Sequence, residues 1–351
     1  MKKINVGVLG ATGAVGQRFI CLLQDHPYFE LTEVAASERS SGKTYAEAVA
    51  GRWKISSDIP EKVKGMVVRP VEPGLECRVV FSAMDASIAG PVEEQFAAAG
   101  YYVFSNSRNH RLDPDVPILL PEINAEHVKV IGHQQKTRGW KGFIITNSNC
   151  STMGLVIPLK PLDMNFGLEA VNVVTMQAIS GAGYPGVASL DIIDNVIPFI
   201  GGEEPKMERE PLKMLGSLKD GRTFIDAPFK ISAQCNRVFV LDGHLECVNV
   251  SLRKKPSAEE FTRALAEFRG RPQELKLPSA PERPIIVRFE EDRPQPRFDR
   301  GHGRGMSVTV GRIRPCNIFD FKFLVLSHNT IRGAAGASIL NAEFLKAEGY
   351  F

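Results

Sequence analysis

Ile4-Asn-Val-Gly-Val-Leu-Gly10-Ala-Thr-Gly13-Ala-Val-Gly16 is the stretch whose reading decides the fold. Residues 4–9 read as a short buried strand. The glycines follow at once as Gly-x-x-Gly-x-x-Gly, a variant of the dinucleotide fingerprint. They permit a tight turn and close backbone approach to a pyrophosphate, and a helix expected from Val15 to Gln24 would aim its N-terminus at the phosphates. Alone, such spacing says little. Between a strand and an amphipathic helix it is specific.

Further strand and helix units extend this beginning. A second strand, Leu31 to Ala36, runs into Ser37-Glu38-Arg39-Ser40-Ser41. Glu38 lies just past the place where an NAD site carries its acid, while Arg39 and the serines suit a 2′-phosphate, so NADP is the expected cofactor. A third strand, Arg78 to Ala83, precedes a helix from Ala89 to Ala99 that Gly100 ends. A fourth, Tyr101 to Ser105, leads to a loop with Arg108 and Arg111. Loop arginines are ordinarily solvated, but two together can also grip an anion. With a polar helical stretch over 125–138, the pattern predicts a parallel, doubly wound sheet.

Phe143-Ile-Ile-Thr-Asn-Ser-Asn149-Cys150-Ser-Thr-Met-Gly carries the chemistry. An apolar strand gives way to turn and cap residues, which places Cys150 at the start of a helix. There, free backbone N–H groups and the helix dipole favour a thiolate, and the polar flanks mark Cys150 as a nucleophile rather than a packed thiol.

After this helix the rhythm changes. Val171 to Ile179 alternates like a strand and enters the flexible loop Ser180-Gly-Ala-Gly-Tyr-Pro-Gly186. Residues 203–215 carry dense charge of both signs, ordinarily the mark of a solvated helix face. Phe229 to Arg237 and Leu245 to Arg253 read as strands, and a hairpin between them would present Arg237 and His244 to one pocket. Ser257-Ala-Glu-Glu260 opens a helix as a capping box. Two more strands follow near 306–313 and 319–326, giving an α+β unit with a mostly antiparallel sheet. Asn329 is a good N-cap for a last helix whose small residues (Gly333, Ala334, Ala337) suit close packing on the first unit. The expected division is therefore 1–149 with 329–351, and 150–328.

At 351 residues, with 43% hydrophobic and 24% charged, the chain has the composition of a two-domain soluble protein. A net charge of +3 argues for neither nucleic acid nor membrane partners. Six scattered cysteines make no C-x-x-C pair. Cys235, His244 and Cys247 could be drawn as a metal set, but on a strand His244 and Cys247 face opposite ways, so no metal is expected. With no signal peptide or long apolar span, a cytoplasmic protein is expected.

Gly10 to Gly16, Ser148-Asn-Cys150-Ser-Thr, Gln177 with Ser180 to Gly183, Glu203-Glu-Pro-Lys206, Asn236-Arg237 to Gly243-His244, and the Asn329 helix together resemble the aspartate-β-semialdehyde dehydrogenases, in their archaeal and fungal branch. The resemblance spans essentially the whole chain. It implies a Rossmann NADP domain joined to an α+β catalytic and dimerisation domain, as in glyceraldehyde-3-phosphate dehydrogenase, working as a homodimer or homotetramer. It makes Cys150 the nucleophile, His244 the general acid/base and Gln177 the residue that orients the acyl group. It makes Arg237 the clamp on the substrate α-carboxylate and Glu203 the partner of its ammonium. Lys206 and Arg111 become the phosphate ligands, with Asn149 beside the substrate. Cofactor contacts fall to Gly10, Thr12, Gly13, Ala14, Val15, Gly16, Ser37, Arg39, Ser40, Ser82, Ser180, Gly181 and Asn329. The chemistry wants these types: a thiol needs a base, a dianion a Lys or Arg, a carboxylate a bidentate Arg, and an ammonium a carboxylate.

The implied reaction reduces L-aspartyl-4-phosphate to L-aspartate-4-semialdehyde with NADPH, through a cysteine thioester. A malonyl-CoA reductase with the same thioester chemistry is the alternative, disfavoured by Asn149, Glu203 and Lys206. N-acetyl-glutamyl-phosphate reductase would not need a carboxylate for an acetylated amine. A non-catalytic dinucleotide sensor would not need Cys150, His244 and Arg237 together.

Overall fold

The computed structural model describes residues 2–351. Strands β1 (Ile4–Leu9), β2 (Phe29–Ala35), β3 (Val79–Ser82), β4 (Tyr102–Ser105) and β5 (Phe143–Thr146) form a sheet in the order β2-β1-β3-β4-β5, parallel throughout. The order reverses beside β1, so a crevice opens at the carboxyl ends of β1 and β3, where open α/β sheets bind ligands. The helix Ala14–Leu23 leaves the glycine turn directly. The next long helix begins earlier than its sequence suggests, at Ala86, because Asp85 caps it by accepting from the Ser87 N–H.

The second half builds β6 (Leu168–Gln177), the short hairpin β7 (Ser217–Lys219) and β8 (Thr223–Ile225), then β9 (Lys230–Arg237), β10 (His244–Leu252), β11 (Ile285–Val287), β12 (Val308–Pro315) and β13 (Phe321–Ser327). Its large sheet runs β11-β12-β13-β10-β6-β9. Three of its pairings are antiparallel and two, β6 with β9 and β11 with β12, are parallel. The expected hairpin does not exist. β6 lies between β9 and β10, so the chain from Arg237 to His244 crosses over it.

The helix Cys150–Phe166 ties the halves together. It leaves β5 of the first sheet, and Leu155, Val156, Leu159 and Leu162 are buried against Val173, Val248 and Phe323 of the second. The chain then returns to its beginning: Ile339, Leu340 and Phe344 of the last helix, Gly336–Ala347, lie in one core with Val6, Phe19 and Phe81. That helix is preceded by a π-turn, Ile331–Ala335, so Asn329 is not its N-cap. Asn329 is instead a tie between loops. Its Oδ1 accepts from the Gly243 N–H and its Nδ2 donates to Ser180 Oγ. Among the described residues no helix is long and apolar enough to cross a membrane.

Candidate active site

A cleft of about 880 Å³ runs from the glycine turn, past the start of the cysteine helix, to Lys206 and Arg237. Its first wall is shaped by what glycine lacks. Gly10 has φ +76°, and a Cβ there would meet the Ala83 carbonyl at 2.7 Å. A side chain at Gly16 would collide with the Gly10 carbonyl. Gly13 differs: the nearest atom to its Cβ would be 3.4 Å away, leaving the turn open to the cleft. The helix after Gly13 has no side-chain cap and no acid in its first turn. Thr12, Gly13, Ala14 and Val15 therefore offer an uncapped helix start to the cleft, which fits a pyrophosphate. Gln17 stiffens this wall, donating to the Thr12 and Arg52 carbonyls and accepting from the Lys54 N–H.

Other expected cofactor residues divide. Ser37 and Arg39 stand exposed just past β2, whereas Ser40 is buried. Ser82 does not reach the cleft. It is fully buried and donates to Glu93 at 2.5 Å, a carboxylate it shares with Ser105. The resemblance implied a cofactor contact for it, but its side chain serves the helix packed on the sheet. Ser180 and Gly181 line the far side of the cleft, as does Asn329.

Cys150 is the first residue of its helix, and Asn149 caps it. Asn149 Oδ1 accepts from the N–H groups of Ser151 and Thr152 at 2.9 and 3.2 Å. The Asn149 N–H goes to Glu210. Among the described residues the Cys150 N–H is left without a partner, so it is the one donor of this first turn available to an oxyanion. Cys150 Sγ lies 3.1 Å from His244 Nε2, while His244 Nδ1 accepts the Ala178 N–H at 3.0 Å. A neutral imidazole so held carries its proton on Nε2, aimed at the sulfur. Burial pushes the thiol up to about 12, and burial with the neighbouring Arg237 charge drives the imidazole down to about 3. In the free site the two are thus a neutral pair. The thiolate that a helix start alone would favour is outweighed by desolvation.

The remaining site residues converge on the sulfur. Arg237, at the end of β9, pairs in register with Gln177 at the end of β6 and donates to the Ala178 carbonyl at 2.7 Å. His244 begins β10 on the other side of β6. Adjacent parallel and antiparallel strands thus do what a hairpin was expected to do. Gly181 lets its loop close over them, since a Cβ would sit 2.8 Å from Arg237 Nη1 and 3.1 Å from His244 Cε1. From below, Gly333 of the π-turn packs against the Cys150 Cβ.

The helix Glu203–Leu215 completes the cleft, and it is not the solvated face that its charges suggest. Glu203, Glu210 and Lys213 are all buried. Glu203 accepts from Asn149 Nδ2 at 2.7 Å and from Lys206 Nζ at 3.0 Å. Burial raises its carboxyl, but Lys206 and hydrogen bonds from Asn149 and Gln177 outweigh that and hold it below the ordinary range. Arg111 donates to Glu210 at 3.0 Å and to the Asn106 carbonyl at 3.0 Å. Glu210 is the residue that sequence reasoning missed. Its spacing of seven from Glu203 puts it on the same helix face, the one available signal.

Known proteins resemble this chain along nearly its whole length. The family model described as semialdehyde dehydrogenase, NAD binding domain, covers residues 5–131, and that described as semialdehyde dehydrogenase, dimerisation domain, covers residues 159–332. An aspartate-semialdehyde dehydrogenase of Archaeoglobus fulgidus is 53% identical over 347 residues, 99% of each chain. One from Schizosaccharomyces pombe is 50% identical over 354 residues, 98% of each. The crystal structure of aspartate semialdehyde dehydrogenase with NADP from Candida albicans aligns over 100% of both chains, with a TM-score of 0.91 and 45% identity.

Proposed function

The chain belongs to the aspartate-semialdehyde dehydrogenase family, and from that premise we propose how its side chains divide the work. The reaction interconverts L-aspartyl-4-phosphate and L-aspartate-4-semialdehyde with a nicotinamide dinucleotide. The malonyl-CoA alternative draws no support from these relatives. The observation that carries the assignment of roles is the 3.1 Å approach of Cys150 Sγ to His244 Nε2, in a cleft that also holds Arg237 and Lys206.

In the biosynthetic direction Cys150 Sγ attacks the acyl carbon as its S–H bond breaks, the thiol proton passing to the phosphate oxygen that leaves; the new C–S bond forms and the carbonyl oxygen gathers charge opposite the Cys150 N–H. The C–O bond to phosphate then breaks, and the leaving dianion is received by Lys206 and Arg111. Arg237 holds the α-carboxylate and Glu203 the ammonium, while Gln177 fixes the acyl group between them. Thr12, Gly13, Ala14 and Val15 would hold a nicotinamide dinucleotide, which would supply the hydride that reduces the thioester. The thiohemiacetal oxyanion then reforms a carbonyl as the C–S bond breaks, and His244 gives its Nε2 proton to the departing sulfur and regains one from solvent, releasing the aldehyde and restoring the thiol.

We assign the cofactor as NADP on the basis of Ser37 and Arg39, with the NADP-bound Candida relative in support. We further assign a homodimer or homotetramer in the cytoplasm, where a free catalytic thiol stays reduced. The test is phosphate-dependent NADP reduction with aspartate semialdehyde, run beside NADPH oxidation with malonyl-CoA. Turnover of malonyl-CoA without the first activity would overturn the substrate. Arg39→Ala should raise the KM for NADP far more than that for NAD; equal losses would remove the 2′-phosphate contact.

A further inference from the structure

Both cations assigned to phosphate are already paired with a carboxylate of the same helix. Lys206 holds Glu203, and Arg111 holds Glu210. Glu203 has a role in substrate binding. Glu210 has none, yet it is 2% exposed, and its two oxygens meet the two sides of the reaction centre. Oε1 accepts from Arg111 Nη1 at 3.0 Å, and Oε2 accepts from the Asn149 N–H at 2.5 Å, one residue before the nucleophile. Arg111 is itself 8% exposed and lines the cleft.

We propose that Glu210 is a positioning residue that competes with phosphate for Arg111, setting how tightly the phosphate is held while pinning the turn before Cys150. This deepens the reading above and rests on Arg111 belonging to the phosphate subsite. The free-energy argument has a definite sign. Without phosphate, Arg111 depends on Glu210 for charge compensation, because a buried cation left alone is costly. With phosphate bound, the dianion supplies that compensation and is repelled by the carboxylate beside it. Removing the Glu210 charge therefore destabilises the empty site more than the filled one, and phosphate binding tightens. A residue that only held the loop together would, when replaced, weaken phosphate binding along with everything else. In the biosynthetic direction phosphate is the leaving group, so a competing carboxylate helps release it.

The experiment measures kinetics of the full enzyme with aspartate semialdehyde, NADP and inorganic phosphate. Glu210→Gln should lower the KM for phosphate by roughly tenfold, lower kcat, and leave the KM for NADP unchanged, the size reflecting a close buried charge pair. Glu210→Asp keeps the charge but draws it away from the guanidinium, so its KM for phosphate should fall by about twofold, between parent and Gln variant. Should the Gln variant not fold, the Asp variant carries the test alone. An unchanged or raised phosphate KM in the variant that folds would overturn the proposal. A parent enzyme whose activity with aspartate semialdehyde does not depend on phosphate would instead overturn the functional reading beneath it.

Discussion

Cys150 and His244 bring two opposing influences to one atom pair. The helix start favours the anion, but burial disfavours charge on both groups and leaves them neutral at rest. The nucleophile is then generated as the substrate is attacked rather than stored. With the thiol pushed up to about 12, alkylation of the free enzyme by iodoacetamide should climb steadily from neutral pH to about pH 10. A plateau near neutrality would reveal a preformed thiolate–imidazolium pair. Cys150 was legible as a candidate nucleophile from its helix-start position in the sequence, and Arg237 and His244 through the family resemblance. Glu210 was not, since a buried acid on a helix of mixed charges has the same local pattern as a solvated one. Ser82 misled for a related reason: a serine at a strand end can face the crevice or the helix behind it, and one turn of the chain decides which.

The elements around the nucleophile are held at backbone distance, and that is where they are vulnerable. The helix Cys150–Phe166 touches the π-turn Ile331–Ala335 through Gly333, whose added Cβ would lie 2.7 Å from Cys150 Cβ and 3.0 Å from its Cα. Neither backbone can retreat freely, because Asn147 Nδ2 bonds the Ala334 carbonyl at 2.8 Å beside the contact. Gly333→Ala should therefore cost about 1–3 kcal/mol of stability through overpacking. It should also depress kcat more than any KM, because the shift falls on the nucleophile itself. Denaturant unfolding and steady-state kinetics on one preparation check both; a variant as stable and active as the parent would show that the turn gives way. Strands and this helix could be read from apolar runs and caps, since those are local signals. The crossing of β6 between β9 and β10 could not, because pairing order depends on packing across the sheet, and a hairpin and a crossover share the same alternation. The π-turn was equally hidden: it arises where Asn329 is drawn away from the helix to bind Gly243 and Ser180.

At the scale of the whole molecule, the last helix completes a core begun by the first strand, and the nucleophile helix carries the second core, so the cleft depends on both staying in register. Beside Gly333 a buried ion pair helps set that register. Arg332 Nη1 donates to Glu122 Oε1 at 2.8 Å, and both side chains are fully buried. Glu122 in turn has Gly270 pressed against its backbone, where a Cβ would meet the Glu122 carbonyl oxygen at 2.7 Å. The pair thus joins the π-turn to the short helix Pro121–Asn124, against whose backbone the segment after the helix Ala258–Glu267 packs. It is an imperfect one, since Arg332 Nε and Nη2 and Glu122 Oε2 have no hydrogen-bond partner among the described residues. Such a pair gives specificity of arrangement more than net stability, and its two members differ sharply in effect when removed singly or together. Arg332→Met alone strands a carboxylate and should cost about 3–5 kcal/mol. Adding Glu122→Gln removes the stranded charge and should recover most of that loss. Urea unfolding of the two singles and the double measures the coupling directly. If the double variant were less stable than the parent by the sum of the two single losses, the two groups would be uncoupled, and the register of the two cores would have to be set by apolar packing alone.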